Sequence, residues 1–214
     1  MKEDAKPVVC GLLAWLCFAL AVGVGGWFRN ASAPGVAATV WTLTALTLLA
    51  CWRLRVVRDW IAIVDLRWLI ALHLTRFVGI YFLILGNRGN LPEGFAKPAG
   101  IGDITIAVGA VAFLLALGRD GATPSAAIPA PSAAARRLYR MWLLGAWNIV
   151  GLIDIIFVAF SALRFGLKDW QAMAPLRQLP LSLLPTFIVP LIIVSHILIF
   201  VRLKVDAASS RVIK

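Results

Sequence analysis

The stretch that decides the fold is His73-LTRFVGIYFLIL-Gly86, followed by Asn87-RGNLPEGFAKPAGIG-Asp103. Its first half reads as an apolar helix with His73 and Arg76 a turn apart. Its second half is rich in Gly and Pro and reads as a loop that carries Asp103 to the N-cap of the next apolar run. The segment 91–103 could instead dip into the protein as a re-entrant piece, which is allowed only where protein or water satisfies its backbone. Ionisable side chains inside an oily helix are costly in lipid, so His73 and Arg76 need partners on other helices.

Outward from this stretch the whole chain is oily. Of 214 residues, 61% are hydrophobic and 14% charged, and mean hydropathy is +0.90. A water-soluble domain sits nearer half apolar and a quarter charged. The expected fold class is therefore all-α, a polytopic membrane helical bundle forming a single transmembrane domain over 1–214. Six spans are expected, at about 8–28, 35–52, 68–85, 104–118, 141–163 and 182–201, each long enough or nearly so to cross a hydrocarbon core of ~30 Å. Ala31-Ser32-Ala33 resembles a signal-peptide cleavage site. The long apolar run, the acidic Glu3 and Asp4 and the following Pro34 favour a retained first helix instead.

Between the spans, residues 53–67 mix four arginines with apolar residues and read as a short interfacial helix, with Trp60 and Trp68 in the aromatic belt. Residues 119–140 are rich in Ala, Pro and Ser and read as a flexible cytoplasmic linker. Residues 164–181 form a polar loop with room for a short surface helix. Pro185 and Pro190 should kink the sixth span. Thr39, Thr42, Thr44 and Thr47 can bond back to their own helix. Gly79, Gly86, Gly145 and Gly151 should let helices approach closely. Cys10, Cys17 and Cys51 have no metal-ligand spacing and read as small buried hydrophobes.

The net charge of +11 follows the same topology. With both termini inside, fourteen of the 21 Lys and Arg fall in inner segments, six in outer segments, and Arg76 within a span. That bias predicts an N-in/C-in protein of a bacterial-type inner membrane, attracted to anionic inner-leaflet lipids. No nucleic-acid-binding motif accompanies the charge.

The candidate site is the set of polar side chains within the spans. His73 and His196 are the only histidines. Each lies six residues from a boundary arginine, Arg67 or Arg202, and so ~9 Å deep on the inner side, with Asn148 at ~12 Å. Two imidazoles at matched depth suit a bis-histidine b-type haem, with Arg76 near a propionate. Arg76, Asp154 and the two histidines could instead line, with Asn148, Asp103 and Ser195, a ligand pocket or the path of a small secondary transporter. A non-catalytic subunit of a larger membrane complex, or a homo-oligomer, is also compatible. The plainest reading pairs Arg76 with Asp154 or Asp103 and leaves the other polar groups as interhelical glue. No nucleotide-binding, hydrolase or metalloprotease motif is present.

Overall fold

The computed structural model describes residues 5–118 and 133–212, and among these it is helical with no strand. Eight α-helices occur in this order: α1 Lys6–Val24, α2 Ala33–Arg53, α3 Arg55–Ile63, α4 Leu66–Ala71, α5 Val78–Asn87, α6 Glu93–Gly118, α7 Ala133–Lys168 and α8 Val189–Val212. Among the described residues, six segments are long and apolar enough to cross a membrane, with α4 and α5 together supplying the third, Leu66–Asn87. The chain is a multi-pass helical bundle.

Local chemistry sets the helix starts. Pro lies in the first turn of α1 and of α2, where its missing N–H has no intrahelical partner to lose. Ser32 caps α2 by accepting from Gly35 N at 3.2 Å. Three of the four α2 threonines anticipated to back-bond do so: Thr39, Thr44 and Thr47 donate to carbonyls four residues earlier.

The structure departs from the sequence reading in four places. Residues 93–103 are neither loop nor re-entrant segment; α6 begins at Glu93, eleven residues before the expected span, and carries Pro98 inside it. Its glycines serve close packing: a Cβ on Gly100 would stand 2.7 Å from the Gly79 carbonyl oxygen of α5, and one on Gly94 2.9 Å from the Phe165 ring. Asp103 is therefore a mid-helix residue and not an N-cap. Second, α7 begins at Ala133, so residues 133–140 of the expected linker are helical, while 119–132 lie outside the described residues. Third, Cys10 and Cys17 are exposed at the periphery and Cys51 is half-buried, because α1 is an outer helix that buries only Ala19 and Val22. Fourth, Gly145 makes no close approach; a Cβ there would meet nothing nearer than 3.9 Å.

The sixth span opens with a π-type turn, Leu184–Ile188, before α8. Pro190 has no N–H to offer the carbonyl of Thr186 four residues back. The Trp15 indole of α1 donates to that carbonyl at 2.9 Å. The irregularity thus becomes the point at which α1 is pinned to the bundle.

Cross-links identify the two ends. At one end Arg202 donates to the carbonyls of Ile61 and Ala62, and Arg67 to that of Leu117. At the other, Trp170 donates to the Ala31 carbonyl at 2.6 Å and Arg177 to that of Arg29 at 2.7 Å. The start of α1, the whole of α3 and the close of α8 share the first end. Two apolar clusters fill the bundle, one around Phe82, Phe95, Ile155 and Ile192 and one around Ile70, Ala110, Leu144 and Ile199. On α6 and α7, and along the α4–α5 span, the polar residues lie between the positions contributing to these two clusters; on α8, Ser195 and His196 fall among those of the second.

Candidate functional site: a buried polar layer beside an apolar cavity

The polar layer starts from one irregularity. Between α4 and α5 the chain winds as a 3-10 helix over Leu72–Phe77. At three residues per turn, side chains at i and i+3 eclipse. His73 and Arg76 therefore project to the same side, and both are essentially inaccessible, at 0% and 1% exposure.

Arg76 is held by three elements. Its Nε donates to Asp103 Oδ1 on α6 at 2.7 Å. Its Nη1 donates to the Gly151 carbonyl on α7 at 3.0 Å, and its Nη2 to Asp154 Oδ2 one turn further along α7. The two carboxylates differ: the Asp103 side chain is 4% exposed and that of Asp154 18%. Both pairings considered for Arg76 are thus present at once. The α5–α6 crossing at Gly79 and Gly100 brings the backbones close enough for this to happen.

The histidines form an adjoining cluster. The Ser195 hydroxyl donates to the Ile192 carbonyl at 2.8 Å, which leaves its oxygen to accept from His73 Nε2 at 3.1 Å. Asn148 clasps His196 twice: Nδ2 donates to the His196 carbonyl at 2.9 Å, and Oδ1 accepts from His196 Nδ1 at 2.7 Å. That assignment leaves His73 Nδ1 and His196 Nε2 as bare acceptors, and neither has a hydrogen-bond partner. The two rings touch, with centroids 4.3 Å apart, and Trp147 packs edge-on against His73 at 5.0 Å.

This contact does not fit a haem. Metal–imidazole bonds of about 2 Å place two axial nitrogens about 4 Å apart on opposite sides of the metal, with the ring centres farther still. Imidazoles with centroids 4.3 Å apart leave no slot for a macrocycle. Among the described residues no group of three or more His, Cys, Asp or Glu could hold a metal ion.

All seven residues expected to form the site meet in two touching clusters: Arg76, Asp103 and Asp154 in one, His73, Asn148, Ser195 and His196 in the other. Their hydrogen-bonding groups are turned mostly to one another, and the void lies to one side. A cavity of about 690 Å³ opens between α1, α2, α3, α4 and α8. Its wall is largely apolar, including Val9, Cys51, Trp60, Trp68 and Val194, and Ser195 is on it. Thr47 and Asp65 also line it, but Thr47 is bonded to the Leu43 carbonyl and Asp65 caps α4 through Arg67 N. Ser195 is thus the link from the cavity to His73.

Residues 33–204 match a family described as a domain of unknown function, DUF8737. The chain belongs to that family. No curated protein and no solved structure matches it. The DUF8737 segment runs from α2 into α8 and contains every member of the polar layer. It also contains the cavity wall except for Ala5, the N-cap of α1, and the α1 residues Val8, Val9 and Leu12.

Trp147, the Gly151 carbonyl and the cavity itself were not anticipated from sequence. The Asn148–Ile149–Val150–Gly151 run placed a polar residue and a close-packing residue one turn apart, but a main-chain acceptor carries no side-chain signature.

Proposed function

We propose that this integral membrane protein binds a lipophilic small molecule in the cavity beneath α3, with Ser195 and, behind it, His73 as the polar groups it meets. One observation carries the reading: an apolar void of about 690 Å³ has on its wall a buried serine already coupled to a histidine. Ligand sites are typically apolar concavities of ~300–1,000 Å³ with a few convergent polar groups. In an N-in/C-in arrangement the cavity lies in the cytoplasmic leaflet, where a lipid-soluble ligand can reach it sideways.

The test is extraction. Protein purified in mild detergent should release a lipophilic compound, enriched over bulk lipid, into organic solvent, and Val194→Trp should abolish the enrichment by filling the space. Identical extracts from the two proteins would remove the proposal.

A second reading, ion-coupled transport through Arg76 and Asp154, is favoured by the asymmetry of the ion triad. Two carboxylates share one guanidinium, and only Asp154 is appreciably exposed. Intramembrane carboxylates of this kind serve proton relays in carriers. Substrate-dependent flux into vesicles that is lost in Asp154→Asn would favour it; flux unchanged in that variant would not.

A further inference from the structure

The ligand class can be narrowed, on the reading that the cavity is a binding site. We infer that its occupant is an anionic phospholipid, with one acyl chain beneath α3 and the phosphate against the arginines that lie in or beside α3, none of which lines the cavity itself.

The argument starts from α3. None of its nine residues is buried, yet it is strongly two-faced. Val57, Trp60 and Ile61, at helical spacing, roof the cavity together with Ile63 and the extended C-cap residue Val64, while Arg55, Arg58 and Asp59 do not line it. A short basic amphipathic helix of this kind lies in the headgroup plane. Trp60 and Trp68 mark the same depth, since indoles prefer the membrane interface.

Among the described residues, charge at this level is one-sided. Arg53, Arg55, Arg58 and Arg67 flank or belong to α3, and Arg202 reaches it from α8; the described acids here are Asp59 and Asp65. Asp59 stands 3.7 Å from Arg55 in an exposed pair. Asp65 is engaged in capping α4. Arg67 and Arg202 donate to main-chain carbonyls, which orient them without neutralising them. Arg58 is exposed and has no ion-pair partner among the described residues. A wholly apolar ligand has no use for this rim, and a soluble anion has no use for the cavity below it. A lipid with a phosphate above a chain uses both.

Two tryptophans on the wall supply the assay. Full-length protein is reconstituted in phosphatidylcholine vesicles with a small fraction of brominated-chain phosphatidylglycerol or, separately, brominated-chain phosphatidylcholine. The Trp60 and Trp68 signal is the difference from the Trp60→Phe/Trp68→Phe protein. An arginine near an anionic surface contributes about a fivefold preference. The anionic lipid should therefore quench this signal at a mole fraction at least about fivefold lower than the neutral one, and Arg58→Gln should reduce that preference by about fivefold while both lipids still quench. Equal quenching by the two lipids in the unmodified protein overturns the anionic assignment; the cavity reading then stands if Val194→Trp, which fills the space, lowers the quenching, and falls if it does not, since Trp68 is 72% exposed and also meets bulk lipid. Quenching by neither, beyond that of peripheral tryptophans, overturns both.

Discussion

Replacing Arg76 by Met tests the physical basis of the polar layer most directly. The substitution preserves much of the side-chain volume and removes the guanidinium, with its bonds to Asp103, Asp154 and the Gly151 carbonyl. Breaking a buried ion pair from one side costs about 3–5 kcal/mol, because the abandoned charge remains buried. The cost should fall unequally on the two acids. Asp154, with a side chain 18% exposed, can turn outward; Asp103, at 4%, cannot. Arg76→Met should therefore lower the melting temperature by about 6–12 °C, taking ~3 kcal/mol and ~2–4 °C per kcal/mol for a chain of this size. Adding Asp103→Asn should restore most of that loss, and adding Asp154→Asn little of it. The assay is thermal unfolding in detergent, followed by the monodisperse fraction on size exclusion. An Arg76→Met protein melting within ~2 °C of the parent would refute the reasoning. So would equal rescue by the two asparagines.

Three further outcomes follow from the same geometry. Gly79→Ala should destabilise by about 1–3 kcal/mol, because its Cβ would meet the Gly100 carbonyl oxygen at 2.5 Å, whereas Gly145→Ala, with 3.9 Å to spare, should be neutral in the same melting assay. Asn148→Leu strips partners from both His196 Nδ1 and the His196 carbonyl; a loss of about 2–3 kcal/mol is expected, and a melting curve matching the parent would show that the clasp contributes nothing. For orientation, in a background with Cys10, Cys17 and Cys51 changed to Ser, a membrane-impermeant maleimide should label Asn90→Cys in intact cells and spare Asp59→Cys; the opposite pattern would invert the assigned topology.

Reading the chain alone went furthest where one-dimensional quantities decide the matter. Hydropathy over about twenty residues located six membrane-length segments, because crossing lipid is a property of a single helix. Depth could be counted along a helix axis, which is why His73, Asn148 and His196 were expected in one layer. Counting failed at 93–103. The same glycines serve turns in water and close helix contacts in lipid, and composition does not tell these uses apart. Gly94, Gly100 and Gly102 each face a neighbouring side chain or backbone on α5 or α7. Asp103 was consequently misread as a cap, although its partnership with Arg76 was among the pairings considered. The haem expectation failed for a related reason: equal depth does not specify the distance between two rings.

Amino-acid order by itself determined that this protein is a helical bundle built for lipid, which polar residues lie within it, and between which spans its basic residues fall. Only the tertiary structure decided that the two histidines touch, that Arg76 is shared between two acids, and that the void lies beside the polar layer under α3. The reason is geometric. Insertion into lipid is governed segment by segment, whereas contact and vacancy depend on how helices rotate and cross, as the 3-10 turn at His73–Arg76 and the Gly79–Gly100 approach do here.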